Sequence, residues 1–118
     1  MTHPALNSDS VAVITGGAAG IGLGAAIQFA KFGMKVVIAD NRADLLDTAQ
    51  AQLLKAGASA VITHEVDVSD LASVRRLEAD VADQFGGTDI LLNNAGIQPG
   101  SAIFGPIENW PSRSIAIG

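Results

Sequence analysis

The sequence predicts an α/β fold in which a parallel sheet carries helices on both faces. Two observations support this class. Short apolar, β-branched runs alternate along the chain with longer segments of helical periodicity, and each helical segment is followed by glycine. Alternation of this kind gives a parallel sheet with right-handed crossovers. The expected pattern is βαβαβαβ, with strand order 3-2-1-4 and an end after the fourth strand.

The first strand–helix unit carries the clearest signals. Residues 11–15 read VAVIT, which fits a strand buried on both faces. Small and apolar residues then recur at helical spacing over residues 20–32, and Gly33 supplies the expected end of the helix.

Two further units and a last strand follow the same rule. In the third unit we expect Ser69 to be the helix N-cap, with Asp70 in the first turn, where the helix dipole favours an acid. The predicted strands are 35–40, 60–66 and 90–93. Apolar residues from Leu45 to Leu54 mark the second helix, which Gly57 ends, and Val74, Leu77, Val81 and Phe85 mark the third, which Gly86-Gly87 ends.

Composition excludes several function classes. The net charge is −5, so a phosphate-rich polymer would be repelled and nucleic-acid binding is not expected. The absence of cysteine removes disulfides and thiolate metal sites. His3 and His64 are expected to face solvent rather than bind a metal.

No apolar run approaches the ~20 residues that span a bilayer, and the polar start of the chain does not resemble a signal peptide, so we expect a cytoplasmic protein.

A glycine-rich segment, Thr15-Gly16-Gly17-Ala18-Ala19-Gly20-Ile21-Gly22, joins the first strand to the first helix. Backbone N–H groups at a helix N-terminus bind phosphates well when no side chain blocks the approach. We expect Gly16 to allow the tight turn, Gly20 to admit a pyrophosphate, and Gly22 to let the helix pack against the sheet. A P-loop is excluded, because no Lys-Ser/Thr pair follows the glycines.

An acid, Asp40, ends the second strand, where it can accept hydrogen bonds from the hydroxyls of an adenosine ribose. A structural alternative is a carboxylate that ends the strand and caps the next helix. A 2′-phosphate beside Asp40 would cost about 1 to 4 kcal/mol in charge repulsion, which favours NAD. Arg42 could pair with that phosphate and leaves NADP open.

Together with Asn93-Asn94-Ala95-Gly96 and Asp67-Val68, these motifs resemble those of the short-chain dehydrogenase/reductase family over residues 8–110. The resemblance implies a Rossmann-type, doubly wound sheet whose NAD(P)-binding half spans residues 1–97. It further implies the cofactor contacts: Gly16, Ala19, Gly20 and Ile21 at the pyrophosphate and adjoining ribose, Asp40 at the adenine ribose, Asp67 and Val68 at the adenine, and Asn94, Ala95 and Gly96 along the cleft. Asn93 is expected to brace the sheet, and Ala19 lacks the hydroxyl of the serine that many members have there.

Chemistry in this family is hydride transfer between nicotinamide and an alcohol or carbonyl, and it depends on a Ser and a Tyr-x-x-x-Lys set. The chain has no tyrosine, so no catalytic residue is assigned. We expect residues 98–118 to be an irregular loop and tail. The family pattern is lost after Trp110, and our hypothesis for this loss is a frameshift or an early stop near Trp110. The fourth strand would then be an exposed apolar edge and favour self-association.

Three functions stay open. The first is an oxidoreductase family member whose catalytic half is missing from this chain. The second is a non-catalytic dinucleotide-binding module, and the third is a nonfunctional fragment. A methyltransferase is a weaker fourth reading, against which the Asn93-Asn94-Ala95-Gly96 motif argues. The substrate cannot be predicted from these residues.

Overall fold

The computed structural model describes residues 10–67, 69–94 and 115–117. Within them, strands and helices alternate as the sequence predicts. The elements are β1 (Val11–Thr15), α1 (Gly20–Lys31), β2 (Lys35–Asp40), α2 (Ala43–Ala56), β3 (Ala60–Glu65), α3 (Leu71–Phe85), β4 (Ile90–Asn93) and β5 (Ile115–Ile117).

All the described strands belong to one parallel sheet with the order β3-β2-β1-β4-β5. The predicted order 3-2-1-4 of the first four strands is confirmed. In the register of the sheet, Thr15 lies beside Ala39 on one side and Asn93 on the other. The carboxyl ends of β1, β2 and β4 therefore meet at one edge.

The sheet extends one strand beyond the predicted four. Ile115–Ile117 pairs in parallel with β4, with Ile90 opposite Ile115 and Leu92 opposite Ile117. These three residues fall inside the segment expected to be an irregular tail. A run of three apolar residues is too short to show a strand period. Because β5 pairs with β4, the fourth strand is not the open edge that the sequence suggested.

The core consists of two apolar layers, one on each face of the sheet. Successive strand residues point to opposite faces, so β1 supplies Ala12 and Ile14 to one layer and Val11 and Val13 to the other. Helices α1 and α2 cover the first layer. Among the described elements, α3 alone covers the second layer, through residues of its buried stripe: Val74, Leu77 and Val81.

The third helix starts one residue later than expected. Its N-cap is Asp70, whose carboxylate accepts the Ala72 N–H at 3.1 Å. Ser69, the expected cap, instead donates its hydroxyl to an Asp67 oxygen at 2.6 Å. No helix in the described ranges has both the length and the apolar composition needed to cross a membrane.

Candidate functional site

The turn from β1 into α1 is held against the neighbouring strand. Gly16 has φ +67°, a conformation open to glycine at little cost. Its N–H donates to the carbonyl oxygen of Ala39 at 2.7 Å. This bond fixes the start of the loop at the carboxyl edge of the sheet. Because the Gly16 N–H already donates to Ala39, it is not free to donate to a ligand.

The N-terminus of α1 is open. Its N-cap, Ala19, makes no side-chain hydrogen bond, and the first turn holds no acidic residue. The first N–H groups of a helix have no acceptor within the helix, and together they carry a partial positive charge. Gly20 has φ +59°, and a Cβ added there would meet no atom within 4 Å. The Ile21 side chain beside it is 83% exposed. An anion can therefore approach this backbone directly.

Gly22 contributes differently, because it is packed against the loop. A Cβ at Gly22 would lie 2.1 Å from the Gly16 carbonyl oxygen and 2.7 Å from the Asn94 side-chain nitrogen. No side chain can be placed at this position without displacing the loop or Asn94. The sequence predicts that Gly22 lets the helix pack against the sheet, whereas the atoms nearest to Gly22 belong to the turn before the helix and to the Asn94 side chain.

The carboxylate of Asp40 holds two backbone segments at once. One oxygen accepts the N–H of Ala18 in the glycine loop at 3.1 Å, and the other accepts the N–H of Arg42 at 3.0 Å. Each carboxylate oxygen has two lone pairs, so both can still accept a further hydrogen bond. Asp40 is half-buried, so its carboxylate stays partly accessible while it holds the loop.

Thr15 links the ends of β1 and β4. Its fully buried hydroxyl donates to the Asn93 side-chain oxygen at 3.0 Å and accepts the Asn94 N–H at the same distance. The Asn94 amide in turn lies 3.5 Å from the Gly16 carbonyl oxygen. Asn93 therefore braces the sheet as expected, and Asn94 is fixed beside the glycine loop.

The turn after β3 is organised around Asp67. The hydroxyl and the N–H of Ser69 both donate to one Asp67 oxygen, and these bonds lower the pKa of the exposed Asp67 carboxyl, the hydroxyl having the larger effect. The Asp67 N–H donates to the Ser73 hydroxyl at 3.2 Å. The preceding Val66 N–H donates to the carbonyl oxygen of Asp40 at 3.0 Å, so this turn adjoins the end of β2.

The structure thus brings most of the predicted site residues to one edge of the sheet. They are Gly16, Ala19, Gly20, Ile21, Gly22, Asp40, Asp67 and Asn94. Val68, Ala95 and Gly96 lie outside the described residues. Thr15 was not among the predicted site residues, although its place at the end of a strand and next to the glycines was a usable signal.

His64 departs from expectation. Its side chain is 18% exposed rather than solvent-facing, and its Nε2 lies 2.8 Å from an Asp80 oxygen. The alternation along β3 puts this side chain towards α3, on the same side as Ile62. Within the described ranges, no group of three His, Cys, Asp or Glu side chains could hold a metal ion.

In the comparison with protein families, the model for short chain dehydrogenases matches residues 10–115. Among curated proteins, a meso-2,3-butanediol dehydrogenase of Serratia marcescens is 40% identical over 103 residues, which are 86% of this chain and 40% of that enzyme. A galactitol 2-dehydrogenase of Agrobacterium fabrum is 43% identical over 107 residues, or 90% of this chain and 40% of that one. The chain spans about 40% of the length of these relatives.

Solved structures agree with the family comparison. An NAD⁺-bound xylitol dehydrogenase superposes with a TM-score of 0.73 and 29% identity, covering 90% of this chain and 39% of that one.

Proposed function

This chain belongs to the short-chain dehydrogenase family, and from that premise we propose that it binds a nicotinamide adenine dinucleotide along the carboxyl edge of its sheet. The xylitol dehydrogenase to which it is similar is a complex with NAD⁺. The residues present fit such a ligand, because backbone donors and a ribose acceptor occur side by side at this edge.

The open N-terminus of α1 carries the proposal. A pyrophosphate needs several N–H donors, a favourable dipole and a backbone free of Cβ atoms on the approach side. The first turn after Ala19 has these features, with open space at Gly20. A helix whose N-terminus served only structure would gain about 1 kcal/mol from a capping side chain, and Ala19 supplies none.

NAD in preference to NADP is the finer part of the proposal. Its basis is that Asp40 is fixed in place by Ala18 and Arg42. A carboxylate held by two backbone bonds cannot swing away from a 2′-phosphate without breaking them. Repulsion between the two charges would cost about 1 to 4 kcal/mol. Arg42 is exposed, and it is the residue that would lessen this cost.

Calorimetric titration of the chain with NAD and NADP tests both parts. We expect NAD to bind at least about tenfold more tightly, which corresponds to about 1.4 kcal/mol. The Asp40→Asn variant keeps the size of the side chain, and we expect the ratio of the two dissociation constants to fall below about threefold, since the charge is lost. Asp47→Asn, on an exposed position of α2, is the matched control. Equal affinity of the unaltered chain for both cofactors would contradict the preference.

Oxidoreduction is the proposed activity of the whole protein. When bound, the dinucleotide would supply the hydride donor or acceptor for an alcohol or carbonyl substrate. These 118 residues contain no tyrosine, so we expect them to bind the cofactor without turnover. That behaviour is also the second candidate function, a non-catalytic dinucleotide-binding module. Following the absorbance of reduced nicotinamide with a secondary alcohol present tests this expectation, since reduction by this chain alone would require an unassigned proton acceptor.

A cytoplasmic location and self-association remain proposals. The sequence predicts self-association through an exposed apolar edge at β4. That reason is weaker, because β4 is paired with β1 on one side and with β5 on the other. Cell fractionation and sedimentation velocity test these two points.

A further inference from the structure

His64 and Asp80 join the outer strand of the sheet to the helix that packs on it. The His64 Nε2 atom lies 2.8 Å from an Asp80 oxygen, with 18% of the histidine side chain and 49% of the aspartate side chain exposed. His64 is the second-last residue of β3, and Asp80 lies in the third turn of α3. The pair therefore connects two elements that are otherwise linked by the short turn carrying Asp67.

A second hydrogen bond joins α3 to the turn that follows β3. The Asp67 N–H donates to the Ser73 hydroxyl at 3.2 Å, and Ser73 is buried. Ser73 and Asp80 are seven residues apart, which puts them on one face of the helix, roughly 10 Å apart along its axis. Helix α3 is thus fastened at two points, by His64 in the strand and by Asp67 in the turn.

Apolar packing does not explain the pair. Val74, Leu77 and Val81 are fully buried between α3 and the sheet, but burial of apolar surface is not directional and by itself selects no particular pair of polar partners. A hydrogen bond weakens steeply when its distance or angle changes. The His64 Nδ1 atom is also buried without a partner among the described residues, a cost that an apolar side chain at this position would avoid.

We propose that His64 and Asp80 are positioning residues for the adenosine end of the cofactor, an inference that rests on the proposed function. Their hydrogen bond sets where α3 lies along β3. That position keeps the Ser73 hydroxyl within reach of the Asp67 N–H, and so holds Asp67 at the edge of the cleft beside Asp40. His64 and Asp80 themselves need not touch the ligand.

Two measurements on four variants of the full chain test this proposal. Asp80→Ala and His64→Phe remove the bond from either side. Because phenylalanine fills the space of the imidazole, His64→Phe still tests the proposal if Asp80→Ala does not fold. Asp80→Asn keeps an oxygen that can accept from Nε2–H, and Asp83→Ala removes an exposed acid from the same helix. The measurements are the amide hydrogen exchange of Asp67 without ligand, relative to Val13 in β1, and the dissociation constant of AMP by NMR titration.

We expect Asp80→Ala and His64→Phe to speed Asp67 exchange relative to Val13 and to weaken AMP binding about tenfold, the size of effect typical of one lost hydrogen bond to a charged group. Asp80→Asn and Asp83→Ala should stay within about twofold of the unaltered chain. Unchanged Asp67 exchange and AMP affinity in both bond-removing variants would overturn the proposal, as would equal acceleration at Val13. Failure of the unaltered chain to bind AMP or NAD would overturn the proposed function instead, and the ligand-free exchange would still decide whether the pair holds Asp67.

Discussion

Thr15 and Asn93 are joined by a hydrogen bond of 3.0 Å from the threonine hydroxyl to the asparagine side-chain oxygen. The bond crosses from β1 to β4 at the edge where the glycine loop leaves the sheet. The same hydroxyl accepts the N–H of Asn94. The buried Thr15 Oγ1 atom therefore holds Asn93 and Asn94 beside the start of the glycine loop.

Replacing Thr15 by Val should lower the free energy of unfolding by about 1 to 3 kcal/mol, because the isosteric side chain leaves two half-buried polar groups, the Asn93 side-chain oxygen and the Asn94 N–H, without their partner. Urea denaturation followed by circular dichroism measures this change. Thr63→Val is the matched control, since the half-buried Thr63 hydroxyl makes no hydrogen bond within the described part of the chain. Equal effects of the two substitutions would show that the Thr15 bonds add nothing to stability.

Two glycines of α1 should respond in opposite directions to alanine. At Gly22 a Cβ would lie 2.1 Å from the Gly16 carbonyl oxygen, whereas at Gly24 it would meet no atom within 4 Å. We expect Gly22→Ala to destabilise the fold by about 1 to 3 kcal/mol through overpacking. Gly24→Ala should stabilise it by up to about 1 kcal/mol through helix propensity. Thermal melts of both variants decide the point, and a stable Gly22→Ala protein would mean that the loop can move aside.

The Ser69 hydroxyl is the main cause of the lowered pKa of Asp67. In Ser69→Ala the pKa of Asp67 should rise towards its ordinary value but stay below it, because the residue 69 N–H still donates to the carboxylate. A depressed folded-state pKa stabilises the fold above the unfolded-state value of 3.8, and this contribution is lost as the pH falls through the folded-state pKa. Carboxyl-carbon NMR titration measures the shift. An unchanged Asp67 titration in Ser69→Ala would contradict the assignment.

Glu78 should behave in the opposite sense. Burial raises the pKa of Glu78, and the Arg75 guanidinium offsets only part of that effect. The folded chain therefore holds this proton more tightly than the unfolded chain does. The resulting stability is present below the unfolded-state value of 4.5 and is lost as the pH rises through the raised folded-state pKa.

A neutral amide removes that penalty, so Glu78→Gln should melt at a higher temperature than the unaltered chain at pH near 7, and the difference should disappear in acid. Glu65→Gln, at an exposed position, should show no comparable gain. A Glu78→Gln protein that is less stable at neutral pH would instead indicate a favourable ion pair with Arg75.

Most of the fold could be predicted because each element carries its own local signal. The run at Val11–Thr15 is rich in β-branched residues and is followed by glycine, and α2 and α3 are followed by Gly57 and Gly86. β5 could not be predicted, because three apolar residues gain strand geometry only from pairing with β4. Spacing alone does not reveal the shift of the α3 cap from Ser69 to Asp70, because adjacent Ser and Asp residues are both good caps and only the structure shows that Asp70 accepts the Ala72 N–H.

The candidate site follows the same division. The glycine loop and Asp40 were predictable, since their chemistry depends on residue type and on position at a strand end. The bonds that fix them were not. The Asp40 carboxylate reaches Ala18 across 22 positions, and Thr15 reaches Asn94 across 79. His64 was misplaced because its partner Asp80 lies on a different element. Long-range pairs of this kind depend on the packing of helices on the sheet.

An NMR titration of the isotope-labelled chain with NAD tests the proposed cofactor site most directly. We predict saturable shifts, with one molecule bound per chain, concentrated on the backbone amides of Gly20, Ile21, Asp40 and Asn94 at the carboxyl edge of the sheet. Amides at the opposite edge, such as Lys35 and Asp89, should move little. No shifts at millimolar NAD, or shifts concentrated at that opposite edge, would contradict dinucleotide binding by the glycine loop.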